Sequence, residues 1–185
     1  AGAKVLNAEA VEFARVAGIA IHARATAGSS AETVVRRGGP PGPRVAGVAS
    51  RRNLALVELP WGGLPAGLEA LERRGALPAE VLAHGGRGLL ALSLDDVHQW
   101  AAARAELVAA VPDAAVDDVE VGSVSVVGPR AAGAEVLREV VAAVRAQGEE
   151  PRAISAGTLR VTAWCGAAAA PEAVRALHRR LVEEA

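Results

Sequence analysis

A chain of 185 residues with 51% hydrophobic composition suits one domain or two small ones and has ample apolar surface for a core. Charged residues make up 22% and the formal net charge is -1, so no overall field favours nucleic acid, an anionic membrane surface or an acidic substrate. A neutral small molecule or another protein is the expected partner. The single cysteine, Cys165, excludes an internal disulfide framework, an iron–sulfur cluster and a cysteine-based zinc site, and it fits a reducing cytoplasm. No apolar run approaches the roughly 20 residues of a membrane span, and the opening residues lack the basic-then-apolar pattern of an export signal. There is no Met, read as a removed initiator or a piece of something longer. With no Tyr and only one Phe, Phe13, stacking of nucleobases on sheet aromatics is poorly supported.

Residues 4–18 place Val5, Leu6, Ala10, Phe13 and Ala14 at helical spacing, with Asn7 as a cap and Gly18 just past the end. Residues 19–25 alternate like a short strand, and 32–35 form another. The helix and strand of 4–25 cannot bury a core alone, so they are expected to be a remnant of a larger unit or an arm packed on the rest of the chain. Residues 36–44, RRGGPPGPR, are the strongest linker, because Gly and Pro deny helix and ladder bonding. Arg36, Arg37, Arg44, Arg51 and Arg52 beside it are read as solvated.

From Val45 the pattern predicts strands at 45–50 and 54–59, a loop at 60–65, a helix at 66–74 and a poorly defined stretch at 76–83. A turn at 84–88, a strand at 89–94 and a helix capped by Asp95 or Asp96 and running through Leu107 come next. Residues 111–121 read as a connector. A strand at 123–127, a helix at 135–146, a strand at 157–164 and a helix from Pro171 complete the chain. Leu54 and Ser123 open equivalent strands 69 residues apart, Gly88 and Gly157 repeat the offset, and the helix ends at Gly75 and Gly148 match with a local length change. Two copies of a βαββαβ-like unit of roughly 65 residues are the economical account. Each would be an antiparallel sheet with two helices on one face, and the other face needs cover within or between chains.

No reactive constellation emerges. His22, His84, His98 and His178 lack metal-ligand spacing; His98 and His178 read as packed or capping residues, and only His84, in a Gly-rich turn, has ligand-facing potential. Cys165 has no evident base or orienting partner and reads as a small buried residue. Asp95-Asp96 and Asp117-Asp118 read as caps and solvated groups. Catalytic and metal residues are therefore not expected. The loop 60–65, PWGGLP, joins a strand to a helix N-terminus, where free backbone N–H groups can accept a carboxylate, so it is both a tight turn and a plausible amino-acid site.

Several strings carry a resemblance. Gly2-Ala3-Lys4-Val5-Leu6, Ala10-Val11-Glu12 and residues 19–24 resemble the last helix and strand of the aspartate kinase catalytic domain, with Asn7-Ala8 where that family has His-Pro and Glu32-Thr33 in place of its Gly-Thr. Val124-Ser125-Val126-Val127-Gly128, Ala153-Ile154-Ser155, Leu159-Arg160-Val161-Thr162 and Ala173-Val174-Arg175-Ala176-Leu177-His178 resemble the tandem ACT domains of the same enzymes. The resemblance implies an α+β fold: a kinase remnant at 1–37, a linker at 38–44, and two ferredoxin-like ACT domains at 45–115 and 116–185. It implies the regulatory portion of an aspartate kinase, an excised region or a separate regulatory subunit, sensing lysine or threonine and mediating dimerisation. The partners would be that amino-acid effector, a second copy of the chain, and a kinase domain or catalytic subunit. The catalytic Lys-Phe/Tyr-Gly-Gly motif is not in this chain, so ATP and Mg belong to the parent kinase and no cofactor is expected here. Effector binding would fall to Trp61, Gly62, Gly63, Leu64, Ala83, His84 and Glu150. Departures stand at this site: Leu59-Pro60-Trp61-Gly62 replaces an Asp-x-Pro-Gly segment, a glutamine position falls at Ala83 or His84, and Glu150-Pro151 replaces Asn-Ile. A degenerate pair serving as a ligand-free dimerisation scaffold is the alternative.

Overall fold

The computed structural model describes residues 8–24, 32–35, 45–129 and 131–184. Two compact units divide the chain, Gly2–Pro43 and Arg44–Ala185. The Asn7 cap and the linker at 36–44 lie outside the described residues.

In the first unit, α1 (Ala8–Ala17) stops where Gly18 takes φ 68 and the Ile19 amide donates to the Ala14 carbonyl at 2.9 Å, a Schellman-type ending. Ala14 is buried, but Phe13 of the expected apolar stripe is exposed. β1 (Ile21–Arg24) and β2 (Glu32–Val35) pair antiparallel, so the strand after α1 finds its partner in the next strand of its own unit. Arg24 and His22 both reach the Glu32 carboxylate, at 2.9 and 2.5 Å, and hydrogen bonding to Arg24 first and His22 second holds its carboxyl below the ordinary value.

The second unit is mixed α/β. Its six strands are β3 (Gly47–Pro60), β4 (Glu80–His84), β5 (Arg87–Ser93), β6 (Ala115–Val127), β7 (Ala153–Gly157) and β8 (Arg160–Gly166). They form one antiparallel sheet in the order β4-β5-β3-β6-β8-β7. The helices are α2 (Leu64–Glu72), α3 (Trp100–Ala110), α4 (Ala134–Arg145) and α5 (Ala170–His178). β3 and β6 run side by side, Gly47 opposite Val127 and Glu58 opposite Ala115. The C-terminal part of β3 continues the sheet to β5, and the C-terminal part of β6 continues it to β8, so each long strand belongs to both halves.

Four elements differ from the sequence expectation. The strands expected at 45–50 and 54–59 are one strand, because the polar interruption is absorbed as a bulge: Asn53 takes φ 55 and its Nδ2 donates to Asp95 Oδ1 at 2.7 Å. Residues 115–121 are strand and not connector; Ala115, Val116 and Asp117 pair with β3 alone, and of the acidic side chains Asp117 and Glu120 are exposed while Asp118 is half-buried. Asp95 and Asp96 lie in a short 3-10 turn, and α3 starts only at Trp100, after Gln99 in a left-handed conformation (φ 57). His98 accordingly sits exposed in the turn before that helix. The strand expected at 157–164 is a hairpin, β7 and β8. The two hairpins, β4–β5 and β7–β8, match at an offset of 73 residues, as do Gly75 and Gly148, so the Gly88–Gly157 match at 69 does not join equivalent positions.

Three apolar clusters hold this unit. Val57, Leu59, Leu90 and Leu92 of the sheet meet Leu71, Ala103 and Leu107 of α2 and α3. Val124, Val126, Val161 and Cys165 meet Val136, Val140, Val144, Ala173 and Leu177 of α4 and α5. Side chains alternate across a strand, so these helix-facing positions leave Leu54, Leu56, Ala91, Val121 and Trp164 on the opposite face, where they bury one another with Leu82, Leu89 and Ala153 packed around them. That third cluster draws on both halves. Arg160 of β8 also reaches Glu80 of β4, at 2.5 Å. The cover that the helix-free face requires thus comes in part from the chain itself. At about 1.5–3 kcal/mol for each large side chain taken from water, these clusters dominate the stability.

Candidate functional site

β3 ends at Pro60, and three residues, Trp61–Gly63, turn through a 3-10 helix into α2. Pro60 cannot extend the ladder, and Pro65 in the first helical turn needs no N–H partner there. β4 and β5 close on Gly85 and Gly86, both at positive φ (59 and 82), with His84 opposite Arg87. Two glycines in that conformation make the two-residue turn whose twist matches the hairpin. The Trp61 amide donates to the Gly86 carbonyl at 2.7 Å, which ties the loop to the turn.

This joint brings Trp61, Gly62, Gly63 and Leu64 to the end of the hairpin that carries Ala83 and His84. Their roles separate. Leu64 is half-buried and packs on Gly88, where a Cβ would stand 3.1 Å from Leu64 Cδ1. A Cβ on Gly63 would lie 2.7 Å from Val111 Cγ1, so packing alone requires glycine there; Gly62 faces open space. Trp61 is 57% exposed, and Ala83 and His84 are exposed. The surface these groups present is an indole, an imidazole and backbone amides, with no acid in the first turn of α2.

Glu150 is not brought to this place. It lies between α4 and β7, exposed, and accepts two hydrogen bonds from Arg145 Nε at 2.8 and 3.0 Å. Its neighbour Glu149 has the structural role, accepting the Gly166 amide at 2.7 Å in space that a Cβ on Gly166 would occupy.

Several other titratable groups are partnered or buried. Asp118 accepts from Trp100 Nε1 at 2.7 Å and lies 3.3 Å from Arg104 Nε; Asp117 accepts from Arg152 at 2.9 and 3.1 Å. His178 meets Glu183 at 3.1 Å on an exposed helix end, a polar contact where the pattern predicts packing or capping. Cys165 is fully buried, and burial, reinforced by Glu149, pushes its thiol up to about 11. A thiol so held is a poor nucleophile at neutral pH. Among the described residues no three His, Cys, Asp or Glu side chains gather as a metal site requires, and no helix is long and apolar enough to cross a membrane.

Sequence reasoning overlooked a second concave place. On the helix-free face, Leu56, Glu58, Leu89, Ala115, Asp117 and Arg152 line a cavity of about 230 Å³, with Val116 contributing from between Ala115 and Asp117. Its signal, Asp117 two positions before Val119 in an alternating stretch, was hidden by reading 111–121 as a connector.

No family model matches the chain, and no curated protein matches its sequence. Solved structures do. The regulatory subunit of aspartate kinase from Thermus thermophilus, in a ligand-free form, aligns with a TM-score of 0.61 at 23% identity, over 74% of this chain and 97% of that one. The aspartate kinase of Clostridium acetobutylicum aligns with a TM-score of 0.77 at 17% identity, and E. coli aspartokinase III, in complex with lysine and aspartate, with 0.78 at 19%. Both cover 97% of this chain, which spans 45% and 42% of their lengths. At these identities the likeness is one of fold. The chain has the fold of aspartate kinase regulatory subunits and regulatory regions, while residues 2–6 of the resembling strings lie outside the described residues.

Proposed function

We propose that the chain is the regulatory portion of an aspartate kinase, binding an amino-acid end product, lysine or threonine, at the joint between the loop Trp61–Gly63 and the turn after His84. The observation that carries this reading is the coupling of that loop to the hairpin through Trp61 and Gly86, in a fold similar over 97% of the chain to an aspartokinase in complex with lysine and aspartate. The reading divides the chain at 38–44. Residues 1–37 would end a kinase domain, and 45–115 and 116–185 would be two ferredoxin-like ACT units sharing β3 and β6. Backbone amides of the loop would receive the effector carboxylate. Among the described residues the outer strands β4 and β7 carry unpaired edges, and Val81 is exposed on one of them, which favours association of two copies edge to edge. Coupling of effector and kinase sites would amount to about 1–3 kcal/mol.

Calorimetric titration of the chain with lysine and with threonine tests the binding: saturable heat with one of them is expected, and none with either would defeat it. One observation favours the scaffold reading, in which the pair dimerises without a ligand: no acid stands at residues 60–64 to meet an effector's ammonium group. Light scattering tests that reading. A strictly monomeric chain at micromolar concentration would sink the scaffold.

A further inference from the structure

The cavity on the helix-free face has the chemistry of a ligand site, and it is separate from the loop at Trp61. Its walls are apolar at Leu56, Leu89 and Ala115 and charged at Glu58, Asp117 and Arg152. At about 230 Å³ it is far above the roughly 30 Å³ share of one water and below the roughly 300–1,000 Å³ of drug-sized sites, so its scale is that of a small metabolite.

The charges are incompletely used. Among the described residues, all side-chain hydrogen bonds of Arg152 run through Nη1: to Asp117 Oδ1 at 3.1 Å, to Asp117 Oδ2 at 2.9 Å and to the Val119 carbonyl at 3.4 Å. Nε and Nη2, the two nitrogens that would grip a carboxylate in parallel, make none. Glu58 takes Arg87 on Oε1 and, among the described residues, has no hydrogen-bond partner on Oε2. The backbone amide of Arg152 is anchored to the Trp164 carbonyl at 2.8 Å, so the guanidinium starts from a fixed point. Glu58 with Arg87 and Asp117 with Arg152 balance in charge, which suits a ligand with no net charge. A cation such as lysine would leave one positive charge without compensation.

We propose that this cavity binds a small aliphatic α-amino acid as a zwitterion, its carboxylate on Arg152, its ammonium on Glu58 and Asp117, and its side chain against Leu56, Leu89 and Ala115. Charges of both signs and apolar side chains in one lining account for each part of such a ligand, and a zwitterion drawn from water requires partners for both of its charges. The inference does not depend on the regulatory reading of the loop.

Calorimetry of the full chain with L-valine is the test, alongside 3-methylbutanoate and isobutylamine, which keep its branched skeleton and lose one charge each. L-Valine should bind saturably, and each analogue at least about tenfold more weakly. Glu58→Gln and Arg152→Ala should each weaken L-valine by about 10- to 100-fold, while Arg175→Ala, on the exposed face of α5, leaves it unchanged. Glu58→Gln keeps the shape of the site, so it carries the test if Arg152→Ala fails to fold. No saturable heat with L-valine at millimolar concentration would overturn the proposal, as would valine binding indifferent to Glu58→Gln but lost in Trp61→Ala. Valine binding with no heat from lysine or threonine would defeat the loop reading and leave this one standing.

Discussion

Three residues carry the chain from β3 into α2, whereas six, residues 128–133, carry it from β6 into α4. Both connections begin alike: Trp61 N–H donates to Gly86 O at 2.7 Å, and Gly128 N–H donates to Leu159 O at 2.9 Å. Beyond that bond the halves part. The first has a short turn under an exposed indole and a Gly-Gly hairpin with both residues at positive φ; the second closes its hairpin on Thr158 and Leu159, neither of which takes positive φ. Even the bends of the long strands correspond, with Asn53 and Glu120 the left-handed residues of β3 and β6. A common frame with one altered loop separates what holds the fold, present twice, from what is available for a ligand, present once.

The sharpest way to break the comparison is to cut what joins the halves. Trp164 is almost fully buried against Leu54, Leu56 and Ala91 on the helix-free face. Trp164→Ala should cost about 3–5 kcal/mol in urea unfolding; a loss below about 1 kcal/mol would mean that the halves do not depend on this cluster. Next comes the close approach of α2 in the first half, where a Cβ on Gly67 would lie 2.5 Å from Leu59 Cδ1. Gly67→Ala should destabilise by about 1–3 kcal/mol through overpacking, and Gly62→Ala, in open space, by no more than about 0.5 kcal/mol. Equal effects would mean that the loop is as tightly packed as the helix.

The Glu149–Gly166 bond marks the second half, since the corresponding positions of the first are Ala76 and Ser93. Glu149→Ala should cost about 1–3 kcal/mol, readable as a lower thermal midpoint, with Glu150→Ala beside it nearly neutral. The smallest effect is electrostatic. Hydrogen bonding to Arg74 lowers the Glu106 carboxyl below 4.5. A carboxyl lowered on folding stabilises the chain above its unfolded value, and that contribution is lost as pH falls through the folded value. Glu106→Gln should therefore flatten the acid limb of the stability curve below pH 4.5 and leave the neutral region little changed; an unchanged acid limb would refute the pair's role.

How far the sequence discloses this fold depends on what each signal reports. The helices α4 and α5 were legible because Val136, Val140 and Val144, and Ala170, Ala173 and Leu177, recur at helical spacing on one buried face. The shared strands were not, because Arg51, Arg52 and Asn53 interrupt β3 and Asp117, Asp118 and Glu120 charge β6 where each is bulged or on an edge, and periodicity reports burial, not pairing. Nor could alternation reveal that Trp164 of β8 and Ala91 of β5 would share one cluster. At the candidate site, the Gly-Gly turn and the strand-to-helix loop were readable from turn chemistry, which is local. Grouping Glu150 with them rested on resemblance, and the fold gives that side chain to Arg145. The cavity at Arg152 needed residues from three strands and a loop, a juxtaposition only the topology supplies.

Amide hydrogen exchange of the chain with and without saturating lysine or threonine tests the central claim most directly, because it reads both halves at once. Protection of residues 61–64 and 83–88, with residues 128–133 unchanged, is the predicted result. Protection in neither half, or only at 128–133, would contradict the assignment of effector sensing to the first loop.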